Sequence, residues 1–384
     1  MYTTTPTLGR IIVAAILTLI PLAGCGRAEP PPPAPPITAP SPTPAEAIAT
    51  PAPTASTTPT PVELDAEATT LESLEQVDDY PLYTMHYYGP YGHQVSSSKG
   101  GAGPTWACSL FAALGDTDSM LYGRNFDWEY SPALLLFTAP PDGYRSVSMV
   151  DIAYLVDADQ VRALTDLPLE DRRPLLDAPF LPFDGMNERG LVVGMAAVPP
   201  GDMQPDPNKE TVGSLGVIRE MLDHAGDVDE AVAILQSYNI EFGDGPPIHY
   251  LIADSSGRAV LVEFYQSEMV VIPNETGYHL ATNFLRASVG ESAAGQCQRY
   301  DKIGQRLAET GGRINTQEAI DLLEQVSQEG TQWSVVYEIN TGNVNVVMGR
   351  EYDDLHTLYS RSTSMQMSIR GDRFFTTEAR RTLQ

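Results

Sequence analysis

From residue 108 onward the chain is written in blocks: strands, two helices, strands, two helices, and a closing pair of strands. Ala133–Ala139, Ser146–Val156 and Gly190–Val198 are apolar or alternating and rich in branched residues, as strands are. Gly213–Ala225 and Val228–Tyr238 space their apolar residues as helices do, with Gly226-Asp227 as stop and restart. His249–Asp254, Arg258–Tyr265 and Glu268–Ile272 follow as strands, parted by Ser255-Ser256-Gly257 and Gln266-Ser267 turns. Gln296–Ala308 and Thr316–Ser327 are again helical. Gly311-Gly312 ends the first, and Asn315 with Glu318 forms a capping pair for the second. Trp333–Ile339 and Asn343–Met348 make a hairpin over Asn340-Thr341-Gly342. A sheet must bury one face against another layer, so this order fits an α+β fold of two sheets stacked between helices. No internal repeat is present.

The segments before and after this core read differently. Arg10 precedes an apolar run, Ile11 to Leu22, that is too short for a comfortable membrane span and reads as a signal peptide over residues 1–24. Leu22-Ala23-Gly24-Cys25 resembles a bacterial lipobox. Cleavage before Cys25 and lipidation of its thiol would anchor the mature chain at the extracytoplasmic face of a membrane. An ordinary secretory signal with an incidental cysteine is the plainer alternative. Residues 25–63 are dominated by Pro, Ala, Thr and Ser, cannot bury enough apolar surface to offset their ordering entropy, and read as a semi-extended tether. Roughly 320 residues remain, enough for one large layered domain. Residues 64–107 are a preface, a possible pro-segment: Tyr80 to Tyr91 is aromatic and should pack on something, whereas Ser96 to Thr105 reads as a loop. The core domain is placed at 108–355 and a polar tail at 356–384, where Arg370-Gly371-Asp372 reads as chance.

The net charge of −27, from 23 basic and 50 acidic residues, argues against nucleic acid or an anionic membrane surface as partner of the globular part. Of three cysteines, Cys25, Cys108 and Cys297, the first is spoken for if it carries lipid. An exported protein without a disulfide framework has no structural use for a lone thiol, which singles out Cys108. Cys297 reads as a small buried hydrophobe on a helix.

Cys108-Ser109-Leu110-Phe111 is followed by Gly123-Arg124-Asn125-Phe126-Asp127-Trp128. If 108–114 and 119–124 are neighbouring strands of a hairpin, Arg124 and Asp127 return to the start of the first strand. That brings together a thiol, a cation and a carboxylate. A thiolate is the nucleophilic form of cysteine, and a guanidinium favours it, so the grouping points to covalent amide hydrolysis. The six histidines give no Cys–His pairing; His249 and His279 read as structural. No cluster has metal-ligand spacing, Asp254-Ser255-Ser256-Gly257 is too short for a calcium loop, and no phosphate loop follows a strand. No metal or cofactor is implied.

These residues resemble the choloylglycine hydrolases, the linear amide C–N hydrolase group of the N-terminal nucleophile hydrolases. The resemblance spans roughly residues 80–350 and rests first on the spacings of 16 and 19 from Cys108 to Arg124 and Asp127. Phe183-Asp184-Gly185-Met186-Asn187-Glu188-Arg189-Gly190-Leu191 is similar to the family's Asn-Glu-x-Gly-Leu strand entry, and Tyr250–Asp254, Gly257 and Val262-Glu263 to its central hairpin. Thr282-Asn283 stands where the family keeps an oxyanion-hole asparagine, and Arg299 where it keeps a second active-site arginine.

The resemblance implies a four-layer αββα sandwich of two antiparallel sheets. It also implies a cut between Ala107 and Cys108, after which the free α-amine of Cys108 is the base for its own thiol. Asp127 would orient that amine, Arg124 and Arg299 would favour the thiolate, and Asn283 would stabilise the oxyanion. The implied substrate is a linear non-peptide amide with a hydrophobic acyl group: an N-acyl amino acid, an acyl-homoserine lactone, a penicillin V-like amide or a conjugated bile acid, ranked together. A homo-oligomer is a further implication. Two departures stand out. Bile salt hydrolases carry another asparagine in the strand after Gly-Leu, where this chain has Ala197 or a neighbour, and 107 residues precede Cys108, so maturation must be proteolytic. The rival expectations are an acyltransferase on the same scaffold and an inert surface binding lipoprotein.

Overall fold

The computed structural model describes residues 61–91, 107–157, 160–201, 204–243 and 245–359. The signal peptide, Cys25, the tether up to residue 60, the Ser96–Thr105 loop and the tail from residue 360 lie outside the described residues.

Two large sheets carry the fold. The nine-stranded sheet runs β1 (Glu75–Asp78), β2 (Leu82–Tyr87), β5 (Ala133–Thr138), β6 (Ser146–Asp151), β7 (Pro182–Asn187), β8 (Val192–Ala197), β11 (Ile248–Ala253), β12 (Ala259–Tyr265) and β13 (Glu268–Pro273). The six-stranded sheet runs β14 (Tyr278–Ala281), β3 (Ala107–Ala113), β4 (Leu121–Asp127), β15 (Thr331–Glu338), β16 (Asn343–Met348) and β17 (His356–Tyr359). A small parallel ribbon joins β9 (Glu210–Gly213) to β10 (Tyr238–Glu241). The other pairings are antiparallel except one, β2 running parallel to β5, so the two large sheets are predominantly antiparallel, as expected.

Alternation assigns each strand two faces. On β3, Cys108, Leu110 and Ala112 enter the core shared with Met195, Val193 and Leu251 of the facing sheet. Phe111 and Ala113 point the other way, onto α6 (Gln298–Thr310) and α7 (Thr316–Gln325), with Ile303, Leu307 and Leu323. On the far side of the nine-stranded sheet lie α3 (Gly216–His224) and α4 (Val228–Ser237), which bury Val217, Ile218, Leu222 and Leu235. The two sheets approach closely where β8 passes β3 and β4. A Cβ on Gly194 would stand 2.6 Å from the Tyr122 hydroxyl and 3.0 Å from Leu110, so the side chain there is limited to hydrogen.

The preface is part of this architecture. α1 (Pro61–Glu72) begins within the last three residues assigned to the tether, and β1 and β2 extend the nine-stranded sheet. At the other end, β17 pairs with β16. The folded core therefore runs wider than 108–355 on both sides. The short helices α2 (Leu169–Arg172) and α5 (Arg286–Val289) complete the set.

Local differences from the sequence reading have local causes. The strand from Ser146 stops at Asp151, whose side chain accepts from the Ala153 N–H and starts a helical turn. The helix expected from Gly213 starts at Gly216, because Glu210–Gly213 pairs with β10. Asn315 and Glu318 form the expected reciprocal cap, and Gly311 ends α6 in the left-handed conformation at φ 62°.

Candidate active site

The β3–β4 hairpin sets the site. Its register places Cys108 opposite Phe126, Leu110 opposite Arg124, and Ala107 opposite Asp127. Strand period then aims the Cys108 and Arg124 side chains between the sheets, and Arg124 Nη2 lies 3.7 Å from the Cys108 sulfur. Arg124 and Cys108 are fully buried. Burial pushes the Cys108 thiol up; the Arg124 charge opposes this, and in the uncut chain burial wins. The expectation that the arginines favour the thiolate is thus outweighed in this form.

Asn283 and Arg299 arrive from the next elements. Asn283, two residues past β14, accepts from the Cys108 backbone N–H at 2.8 Å through Oδ1. Arg299, in the first turn of α6, donates through Nη1 to the Cys108 carbonyl and, at 2.8 Å, to Ser109 Oγ, and through Nη2 to Asn283 Oδ1 at 2.8 Å. The structure therefore brings together all five residues expected around the thiol: Cys108, Arg124, Asp127, Asn283 and Arg299.

The Asn283 amide nitrogen donates to the Ala197 carbonyl at 2.9 Å. An amide NH2 has two hydrogens, so one stays available for a developing negative charge. At the position where relatives were expected to carry an asparagine, Ala197 thus contributes its backbone oxygen.

Asp127 closes the group. It is 3% exposed; Oδ1 accepts from Thr331 Oγ1 at 2.5 Å, and Oδ2 lies 3.7 Å from Arg299 Nη1 and has no hydrogen-bond partner among the described residues. Burial lifts its carboxyl to about 6, against the Thr331 hydrogen bond and the Arg299 and Arg124 charges.

Three residues of this centre were not singled out by the sequence. Asp184 of β7 forms a fully buried ion pair with Arg124 and accepts from the Tyr337 hydroxyl. Burial works against the Arg124 charge, and Asp184 outweighs it, so the guanidinium pKa is raised. Thr331 is the third, as the Asp127 partner. Asp184 sits inside the quoted Phe183-Asp184-Gly185 motif, which was the one available signal; Tyr337 and Thr331 reach the site only through the pairing of β15 with β4.

Several other expectations resolve here. Cys108 and Cys297 are both free. Cys297 is half-buried and stands just before α6 as its N-cap, not on the helix as a buried hydrophobe; burial opposes ionisation, but hydrogen bonds led by the Tyr300 N–H lower its thiol overall. Asn187 binds the end of α3 through the Leu222 and Ala225 carbonyls, as a structural turn residue does. His279 bonds the Ile272 carbonyl. Among the described residues, Asp78, Asp354 and His356 place one donor atom each within 4.8 Å of one another, at the outer edges of the two sheets, and no metal chemistry is assigned to them.

Compared with protein families, residues 108–284 match the linear amide C-N hydrolases, choloylglycine hydrolase family. Over that segment the chain is similar to this family. Hydrolysis of linear amide C–N bonds is the chemistry that this family's description names. Among solved structures, a variant of the conjugated bile acid hydrolase from Clostridium perfringens is 16% identical, covers 66% of this chain and 92% of its own, with a TM-score of 0.48. Penicillin V acylase from Agrobacterium tumefaciens is 16% identical over 63% and 83%, with a TM-score of 0.42. A Caenorhabditis elegans ortholog of N-acylethanolamine-hydrolyzing acid amidase is 14% identical over 61% and 93%, with a TM-score of 0.42. The fold of this chain is a mixed α+β sandwich, two sheets between helices.

Proposed function

We propose that this protein hydrolyses a linear, non-peptide amide through Cys108, after a cut between Ala107 and Cys108 makes that cysteine N-terminal. One observation carries the reading: every group of Cys108 is held by a different polar residue, the sulfur by Arg124, the N–H by Asn283 and the carbonyl by Arg299. A core thiol needs none of these contacts. The Asp127 oxygen that makes no hydrogen bond among the described residues supports the same reading, because Asp127 pairs with Ala107 and so lies beside the bond to be cut.

The free α-amine, with an ordinary pKa of about 7.7–8.0, takes the thiol proton, so no histidine is needed. The thiolate attacks the amide carbonyl, and the second Asn283 N–H meets the oxyanion, a contact whose loss typically costs ~10²–10³ in rate. The resulting ammonium, held by Asp127, protonates the leaving nitrogen, and the C–N bond breaks. The amine then takes a proton from water, which attacks the thioester and releases the acid and the thiol. The Arg124 charge, fixed by Asp184, favours the thiolate once solvent and substrate reach the site.

The acyl group is hydrophobic on this reading. Phe126, Phe183 and Trp333 form a buried aromatic cluster on the Cys108 side of the sheets, with Phe126 directly opposite Cys108 and stacked on Trp333 at 4.2 Å. A lipid at Cys25 would place the enzyme at the extracytoplasmic face of a membrane.

The test is the intact mass and N-terminal sequence of residues 26–384, with and without Cys108→Ala. A fragment that begins at Cys108 in wild type and is absent in the variant supports self-cleavage and the α-amine mechanism. A wild-type chain that stays uncut, and whose Cys108 takes up no activated acyl ester, rules the reading out.

A further inference from the structure

We propose that Glu263, together with His249, is a positioning residue for Asn283: the pair fixes the loop that carries the oxyanion donor. This rests on the amidase reading above and names a part of the same site.

The pair is a buried polar centre that the mechanism does not otherwise use. Glu263 on β12 and His249 on β11 have side chains 0% and 1% exposed, and Glu263 Oε1 lies 2.9 Å from His249 Nδ1. An ionised carboxylate in a core is costly unless its oxygens are satisfied. Here they are satisfied by one particular segment: Oε1 also accepts from the Arg286 N–H at 2.9 Å, and Oε2 from the Ala287 N–H at 2.7 Å. Burial alone would raise this carboxyl, but the His249 hydrogen bond and the two N–H groups help to lower it overall.

The two N–H groups lie three and four residues beyond Asn283. The loop leaves β14 after Ala281, presents Asn283, and is caught again at Arg286 and Ala287. Asn283 therefore sits on a short span tied at both ends. Its own acceptor is tied to the same pair. The Ala197 carbonyl that takes the Asn283 amide is on β8, and the residue before it, Ala196, pairs directly with His249 on β11. One buried pair thus sets both the loop that bears the amide and the strand that orients it. The other charged or titratable groups here are already engaged: His279 bonds the Ile272 carbonyl and the Leu280 N–H, and the Arg286 guanidinium bonds the Tyr300 hydroxyl.

The experiment follows acylation of Cys108 by an activated 4-nitrophenyl acyl ester, read as nitrophenolate release and as intact mass, in the processed protein. The variants are Glu263→Gln, Asn283→Ala and the double variant, with His249→Gln as a second probe in case Glu263→Gln fails to fold. Loss of an oxyanion donor costs ~10²–10³, so loss of its support should cost less, roughly 10–10², and fall on the maximal rate more than on KM. In the Asn283→Ala background Glu263→Gln should add nothing further. A purely structural role would not produce this non-additivity. A folded Glu263→Gln or His249→Gln protein that acylates at the wild-type rate, or a double variant whose losses multiply, overturns the proposal. Failure of wild type itself to acylate overturns the amidase reading, and this proposal with it. That outcome is distinct, because it appears before any variant is compared.

Discussion

On the proposed reading, Cys108 faces two demands that conflict. A nucleophile needs a stabilised thiolate, but full burial in the uncut chain raises the thiol. Arg124 is the counterweight, and Asp184 keeps it in place. Removing one member of a fully buried ion pair strands the other, at about 3–5 kcal/mol. Asp184→Asn should therefore lower unfolding stability by that amount in urea titrations. Tyr337→Phe, which removes only a hydroxyl donor to Asp184, should cost about 1–3 kcal/mol. Equal, small losses for both would mean that Arg124 finds another counter-charge.

Asp127 makes a prediction in pH. Its folded carboxyl is raised to about 6 by burial, against ~3.9 in an unfolded chain. The folded state thus holds its proton to higher pH, so the contribution to stability is full below ~3.9 and is lost as pH rises through 6. In the uncut Cys108→Ala protein, stability relative to the additional Asp127→Asn change should fall by about 2–3 kcal/mol between pH 4 and 7. In processed wild type the new ammonium supplies an opposite charge, and the dependence should flatten. A flat difference in the uncut form would remove Asp127 as the carboxylate awaiting that amine.

At the scale of elements, the site is the consequence of register. A one-residue slip between β3 and β4 would turn Cys108 or Arg124 out of the space between the sheets. The spacing of 19 from Cys108 to Asp127 encodes this hairpin, which is why these three residues were legible in sequence. Long periodic elements were legible too, among them α6, α7 and the β15–β16 hairpin. What stayed hidden was short or non-local. β14 has four residues, and β2 gains its place by parallel pairing with β5, some fifty residues on. Asn283 and Arg299 were found by resemblance alone, since nothing in local pattern ties them to residue 108. Tyr337 and Thr331 depend on strand pairing across about two hundred residues. Gly194 marks a close approach of the two sheets. Gly194→Ala should cost about 1–3 kcal/mol by overpacking against the Tyr122 hydroxyl, and Tyr122→Phe should recover part of it. Melting of the single and double variants checks this; no recovery would put the strain on Leu110 instead.

At the scale of the whole molecule, a cut at Ala107–Cys108 would divide a chain that is knitted together on both sides of the cut. Leu82, Tyr83 and Met85 of the preface are fully buried, and burial of such side chains is worth about 1.5–3 kcal/mol each. β2 pairs along its length with β5, the Tyr83 hydroxyl donates to the Val161 carbonyl at 2.9 Å, and Tyr80 donates to Gln332 at 2.8 Å. Tyr91 donates to the Asp223 carboxylate, and Asp78 pairs with His356 of β17 at 2.7 Å, linking the outermost strands of the two sheets. Departure of the preface would expose the β5 edge and its apolar face to water, an open template for aggregation. The two pieces should therefore co-elute as one particle on native size exclusion and separate only in denaturant. A lipid at Cys25 would then hold the hydrolase at the membrane through non-covalent contacts alone. Native mass spectrometry of processed protein from residues 26–384 reads this directly, because the summed mass of both pieces is expected. A particle with the mass of the Cys108 fragment alone, still folded and soluble, would show that the sheet stands without β1 and β2 and that any anchor is shed with the preface.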